Sequence, residues 1–382
     1  MKILQVGKYY PPYRGGMETV LENLVEGLLD SGVSVRTLVS GQDTTTQVST
    51  IKGPLSGNEG RLIRVSRAGN LHSQPLNTTL ISQLRRQLEI FQPDLVHLHL
   101  PNPLAILAWS VLARWYGRSM PPLAVWYHAD ITRQRVGARL VGPLVKGLLR
   151  KSSGVCVSTK SLAQNSVCLQ GLSEKIQVIP FGIAPKPWIN IQPQRNGAFL
   201  FVGRLVPYKG LEIMLEAMGN VPESSLDVVG AGPLENMLKK KSSQGNLAGR
   251  VQFHGPCNTD YLAQLMAGTR ALVLPSLDQS ETFGLVQLEA MASGVPVIAS
   301  NLPSGVSEVG LPGETCLLVP PGDADSLSAA LQKVINDDKL CHRLGNAARQ
   351  RFEENFTREE MVQRVLNWYR QLLCLQETKG RS

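Results

Sequence analysis

Apolar residues recur along this chain with two alternating periods, and the switching between them outlines a fold. Residues 3–6 form a short apolar run, and residues 7–16 follow as a loop rich in glycine, proline and tyrosine. Met17, Val20, Leu21, Leu24, Val25, Leu28 and Leu29 then repeat at the spacing of one helix face, with Glu18, Glu22 and Glu26 turned outward. Ser31 and Gly32 stop that helix, and residues 33–39 supply another strand, so the chain opens with a βαβ unit, from which parallel sheets are built. Further strands are predicted at 94–99, 123–126, 155–158 and 176–179. Residues 189–197 carry no period and read as a linker. Beyond them the alternation restarts, with strands at 198–202, 226–229, 251–253, 271–274 and 295–299 and helices at 211–218 and 285–291. Helical patterns close the chain at 325–335 and 358–373. Two successive α/β halves predict two doubly wound domains. Open parallel sheets take ligands at the carboxyl ends of their strands, so a cleft between the domains is the expected site.

Composition agrees and narrows the class. A length of 382 residues, 43% of them hydrophobic, fits two domains better than one. No apolar run approaches the ~20 residues of a membrane span, and residues 3–7 are too short for a signal-peptide core, so a cytosolic protein is expected. Cys156, Cys168, Cys257, Cys316, Cys341 and Cys374 show no metal-ligand spacing and are expected as reduced thiols. The net charge of +9 is uneven: residues 1–183 hold 20 Lys and Arg against 10 Asp and Glu, leaving 19 against 20 beyond. Residues 131–173 contain Arg133, Arg135, Arg139, Lys146, Arg150, Lys151 and Lys160 and no acid. Such asymmetry points to an anionic partner for the first half: a membrane surface, nucleic acid or a phosphorylated substrate. Nucleic acid is the weaker choice, because aromatics are only 5% of the chain and do not cluster beside the arginines.

Four places carry candidate chemistry. Glu281 and Glu289 flank a Phe283-Gly284-Leu285 turn that opens a predicted helix. Unpaired amides and the dipole at a helix start favour phosphate, while flanking carboxylates accept hydrogen bonds from sugar hydroxyls, a combination suited to a nucleotide-diphospho-sugar. Taken alone, the two acids are equally ordinary surface groups, or a pair that cleaves glycosidic bonds. Arg204 and Lys209 follow the first strand of the second half, where a guanidinium and an ammonium can clamp a diphosphate. Gly15 and Gly16 allow close backbone approach to a phosphate or sugar, or simply make a βα turn. Gly230 and Gly232 resemble half of a dinucleotide fingerprint, but Glu235 stands where the third glycine belongs. His128, at a strand end, is favoured for binding a hydroxyl or moving a proton over His97 and His99, one of which is expected to point in and the other out.

Taken together, these motifs resemble the signature of family 4 retaining glycosyltransferases. Glu281 and Glu289 around Phe283-Gly284-Leu285, followed by Ala-Met-Ala-Ser-Gly-Val-Pro-Val-Ile, carry the resemblance, with Gly203-Arg204 and Lys209-Gly210 upstream. Pro180-Phe-Gly-Ile183 and Gly15-Gly16-Met-Glu18 extend it over essentially the whole chain. His97-Leu-His-Leu-Pro-Asn-Pro103, Trp126-Tyr-His-Ala-Asp-Ile131 and Pro303-Ser-Gly-Val306 are similar to members that build bacterial surface polysaccharides. One departure is Ala129, where serine is expected.

The resemblance implies an α/β GT-B fold: two Rossmann-like domains facing across a cleft. An acceptor domain would span 1–183, a donor domain 184–357, and a C-terminal helix at 358–376 would cross back to the first. It implies a nucleotide-diphospho-sugar donor, a saccharide or polyprenyl-diphosphate-linked acceptor, no cofactor and no metal. Arg204 and Lys209 would stabilise the departing diphosphate. Glu281 would hold sugar hydroxyls and Glu289 the ribose, with Gly15, Gly16 and the backbone of Phe283, Gly284, Leu285 and Val286 also on the donor. His128 would be the family's catalytic-site histidine, and His99, Asn102 and Asp130 would meet the acceptor. A phosphorylase or a nucleotide-sugar epimerase of the same fold is the alternative activity. Residues 139–150 alternate apolar and basic at helical spacing, which suits either peripheral contact with an anionic membrane at its inner face or packing on the sheet.

Overall fold

A computed structural model describes residues 1–13, 15–71, 74–130, 135–191 and 197–380. The chain forms two compact units, Met1–Gly182 with Arg358–Ser382, and Ile183–Thr357. Most of the expected linker, residues 192–196, lies outside the described residues, as do Ile131 and Arg133 of the basic stretch.

The first unit holds β1 (Lys2–Val6), β2 (Ser34–Ser40), β3 (Gln47–Lys52), β4 (Glu59–Val65), the hairpin pair β5 (Gly69–Leu71) and β6 (Gln74–Leu76), β7 (Leu95–Leu100), β8 (Leu123–Tyr127), β9 (Gly154–Val157) and β10 (Ile176–Val178). Its main sheet has the order β10-β9-β8-β7-β1-β2-β4-β3. The strands that read as continuous apolar runs are the central parallel ones, buried on both faces: every residue of β7 and β8 is buried. Only β3 runs antiparallel, at an edge. Its weak Gln-Val-Ser-Thr-Ile-Lys pattern gave no strand signal because the edge faces water, and Lys52 pairs there with Glu59 directly opposite at 3.0 Å.

The second unit holds β11 (Ala198–Val202), β12 (Ser225–Val229), β13 (Val251–Gly255), β14 (Ala271–Leu274), β15 (Val297–Ser300) and β16 (Cys316–Val319). The order is β13-β12-β11-β14-β15-β16, parallel throughout. Strand alternation divides its core. Phe199 and Phe201 pack with Met214, Leu215 and Leu331 on one face, while Leu200 packs with Leu272, Leu274 and Ala290 on the other.

The last helix, Arg358–Gly380, belongs to the first unit, although the second lies between them in sequence. It buries Met361, Val362, Val365, Trp368, Tyr369 and Leu372. It packs against the Gly16–Asp30 helix at Gly27, where a β-carbon would stand 2.5 Å from Val362 Cγ2, so the helices meet this closely only over glycine. Buried Arg358 fixes the junction, donating to Glu26 at 2.8 Å with Asp30 at 3.7 Å.

The basic stretch becomes the Arg135–Lys151 helix, which runs through Pro143. Val145, Leu148 and Leu149 enter the core of the first unit, and Leu144 remains 55% exposed. The side chains of Arg139 and Leu140 lie outside what is described. Among the described residues no helix is long and apolar enough to cross a membrane.

Removing one partner of a buried ion pair strands the others, at a cost of about 3–5 kcal/mol. Arg358→Ala should lower the unfolding free energy of the first unit by about that amount. Urea titration followed by tryptophan fluorescence checks it, and an unchanged midpoint would contradict the role given to Arg358.

Candidate functional site

In each sheet the chain starts near the middle, builds outward to one side, then returns to build the other. In the second unit the return falls between β11 and β14, which are neighbours whose following loops lead to opposite edges. Right-handed crossovers send those loops to opposite faces, opening a crevice at the strands' carboxyl ends. Residues 203–210 border it on one side and residues 275–285 on the other.

Glycines let these loops approach backbone to backbone. Gly210 adopts φ 71°, and a β-carbon on it would lie 1.9 Å from the Pro275 carbonyl oxygen. A β-carbon on Gly230, at φ 127°, would lie 2.0 Å from the Gly203 oxygen, and one on Gly232 would lie 2.4 Å from that of Leu205. The half-fingerprint at Gly230 and Gly232 is thus explained by close packing against the 203–205 backbone, which needs no dinucleotide.

Across the crevice the Lys209 ammonium pairs with Glu281 Oε2, the two side chains being 13% and 10% exposed. Ser276 donates to the same oxygen at 3.2 Å, and the Lys209 ammonium lies 5.6 Å from the centre of the Tyr208 ring. Arg204 is exposed on the same loop, one residue after Gly203. Beyond Glu281 the buried Phe283 stands edge-on to Phe356, and Gly284, at φ 72°, turns the chain into the Val286–Ala292 helix. Two amides of this first helical turn are engaged within the protein. The Gln287 and Leu288 N–H groups already close tight turns onto the Gly284 and Leu285 carbonyls at 2.8 and 2.9 Å. Glu289 is half-buried on that helix.

The first unit has its own return point, between β1 and β7. Asn102 spans it: Nδ2 donates to the Gly7 carbonyl at 3.2 Å, and Oδ1 caps the Pro103–Tyr116 helix through the Ala105 amide. Asp130 Oδ1 accepts from Tyr127 at 2.6 Å and Ser166 at 2.8 Å. Both side chains are therefore engaged with the protein itself. Gly15 and Gly16 are exposed where the first helix begins.

His97 and His99 do not divide between inside and outside. Two residues apart on one strand, they lie on the same face, and both are buried with ring centres 4.7 Å apart. They belong to a buried chain of polar groups. His128 Nε2 meets His99 Nδ1 at 2.9 Å, and His99 Nε2 meets Gln5 Oε1 at 3.0 Å. Gln5 Nε2 donates to the Tyr369 hydroxyl at 2.9 Å, and that hydroxyl meets His97 Nδ1 at 2.6 Å. His128 Nδ1 ends the chain with no partner among the described residues. Gln5 and Tyr369 were missed in the sequence. The one available signal was Gln5 itself, an amide interrupting an apolar run that becomes a central strand.

Burial holds these imidazoles neutral. His97 and His128 titrate well below the ordinary 6.5, and His99 is pushed down to about 3. Below about pH 6.5 the unfolded chain takes up protons that the folded unit refuses, so stability is full above that pH and falls as pH drops toward about 3. Each imidazole adds a slope of up to about 1.4 kcal/mol per pH unit. Urea midpoints of the first unit should therefore fall between about pH 7.5 and about pH 5.5. A flat profile would show that the rings protonate without unfolding.

Residues 14–186 match the sequence model described as Glycosyltransferase Family 4, and residues 186–351 match Glycosyl transferases group 1. The O-antigen chain mannosyltransferase C of Escherichia coli is 29% identical, covering 98% of this chain and 99% of its own. The D-rhamnosyltransferase WbpZ of Pseudomonas aeruginosa is 30% identical, covering 94% and 92%. Among solved structures, sucrose-phosphate synthase from Thermosynechococcus elongatus has a TM-score of 0.80 at 24% identity, over 98% of this chain and 99% of its own. Anabaena HepE in complex with UDP has a TM-score of 0.76 at 19% identity, over 97% and 100%. The structural likenesses show a shared GT-B fold, and the sequence matches go further: the chain belongs to the family 4 glycosyltransferases.

Proposed function

We propose that this glycosyltransferase moves a hexosyl group from GDP-mannose or a UDP-sugar to a saccharide or polyprenyl-diphosphate-linked acceptor in cell-envelope polysaccharide synthesis, with retention at the anomeric carbon and without a metal or other cofactor. The observation that carries this reading is the Lys209–Glu281 pair at the β11/β14 return point, with Arg204 exposed beside it. Relatives named as mannosyl- and rhamnosyltransferases favour transfer over phosphorolysis or epimerisation. HepE, solved with UDP-glucose, favours a nucleotide-diphospho-sugar donor.

The chemistry follows from the charges. Breaking the bond from C1 to the phosphate oxygen leaves negative charge on the diphosphate, which Arg204 and Lys209 stabilise from fixed positions. The acceptor hydroxyl attacks C1 from the same face, forming the new C1–O bond, and passes its proton to the departing phosphate oxygen. Glu281 accepts hydrogen bonds from sugar hydroxyls and holds Lys209 in place. A carboxylate already paired with an ammonium is a poor nucleophile, which favours this direct route over a covalent intermediate. Glu289 accepts from the ribose, and the Phe283–Val286 backbone and Gly15–Gly16 lie against the donor. His128 offers Nδ1 to a substrate hydroxyl, with His99, Asn102 and Asp130 on the acceptor side.

Losing one preorganised group that stabilises developing charge costs about 10²–10³ in kcat. Arg204→Ala and Lys209→Ala should each show that loss in transfer from the donor that most raises the melting temperature in a screen of GDP- and UDP-sugars. Arg204 is exposed, so its loss cannot be ascribed to unfolding. Product anomeric configuration and the rate in excess EDTA test retention and metal independence. Wild-type turnover in both variants would remove the site assignment.

The Arg135–Lys151 helix supports a second expectation, because Leu144 is exposed among its basic residues. The protein should float with liposomes containing anionic lipid and not with neutral ones. Equal recovery from both would end the membrane reading.

A further inference from the structure

Two buried polar atoms stand unpaired at the carboxyl ends of neighbouring strands in the first unit. β8 and β9 run parallel, with Trp126 opposite Cys156 in their register. Two residues on, and one beyond each strand, His128 and Ser158 come opposite each other. Alternation returns both to the face that carries Trp126, whose ring stacks on that of His128 at 5.6 Å. The two residues are 3% and 2% exposed, and neither His128 Nδ1 nor Ser158 Oγ has a partner among the described residues. Phe181 walls the same place, its ring centre 5.4 Å from that of His128.

The pair is chemically complementary, since a hydroxyl both donates and accepts while a neutral imidazole nitrogen does one or the other. Neighbouring strands lie only about 4.8 Å apart, yet the serine hydroxyl does not reach the ring. Other hydroxyls nearby are engaged: Thr159 caps the Lys160–Asn165 helix through the Leu162 amide, and Ser166 donates to Asp130. A buried polar group without a partner destabilises a fold, so two of them side by side, at the strand ends where open sheets take ligands, mark a contact that a ligand completes. One small uncharged group that donates and accepts satisfies both atoms, and a hydroxyl is such a group. It does so whichever nitrogen of His128 holds the proton, because the serine takes the opposite role.

We propose that Ser158 is a further substrate contact, which with His128 holds one hydroxyl of a sugar substrate between the ends of β8 and β9. This rests on the reading of His128 as a substrate contact. Water does not reach either atom, so a sugar lacking that hydroxyl leaves both unpaired, and the contact selects as well as binds.

Ser158→Ala gives a crossed signature. It removes a hydroxyl that has no partner in the free protein, so the melting temperature should rise by about 2–4 °C. The value of kcat/KM should fall about 3- to 10-fold, as for loss of one uncharged hydrogen bond. Donor and acceptor sugars each lacking one hydroxyl then identify the group that is held. In wild type the analogue without it should lose about 10- to 100-fold, and Ser158→Ala should narrow that loss about 3- to 10-fold while leaving the other positions alone. Narrowing with a deoxy donor assigns the hydroxyl to the donor sugar, and narrowing with a deoxy acceptor assigns it to the acceptor.

A lower melting temperature in Ser158→Ala overturns the proposal, because it shows a serine that only bridges to its surroundings, through a buried water or otherwise. Wild-type losses for every deoxy sugar in that variant overturn it as well. If His128→Ala keeps all the wild-type losses while Ser158→Ala narrows one, the histidine contact fails and the serine contact stands, so the two failures are told apart.

Discussion

A parallel strand cannot be followed directly by its neighbour, because the chain must first return over one face of the sheet. That constraint organises both units. Each begins in the middle of its sheet, so the loops on either side of the return point diverge. In the second unit the divergence is narrow, because Gly210, Gly230 and Gly232 let three loops touch along their backbones. Lys209 and Glu281 then face each other from two loops whose separation is set by steric contact. In the first unit Asn102 joins the corresponding loops with one hydrogen bond, to the Gly7 carbonyl, while its Oδ1 caps the helix that follows.

The two return points differ in electrostatic character. The second unit keeps charges, paired and partly exposed, at its return point. The first buries three imidazoles deeply enough to keep them neutral. An ammonium–carboxylate pair responds to an arriving anion by redistributing its attractions, whereas neutral rings respond only through the direction of their hydrogen bonds. The first kind of site suits charge that develops during a reaction, and the second suits the orientation of hydroxyls.

Most strands were legible because parallel strands buried on both faces read as apolar runs, as in 198–202 and 271–274. β3 and β4 escaped notice, since an edge hairpin half in water keeps no such run. Glu281 and Lys209 were legible as motif residues, but their ion pair spans 72 positions and no periodicity reports it. The same holds for Gln5 and Tyr369, which are 364 positions apart. His97 and His99 were misjudged although the period of two was available. Assigning them to opposite faces contradicted the geometry of the strand they form.

The Arg358–Gly380 helix has a consequence for the order of events at the ribosome. Residues 1–182 emerge first, yet the unit they form takes Met361, Val365 and Tyr369 into its core. The second unit, 183–357, is complete in the nascent chain before those residues are made. Domains ordinarily fold from the N-terminus as they appear. Here the earlier half must wait, its Gly16–Asp30 helix and central strands lacking one wall, until the later half has been synthesised and the last helix follows it out.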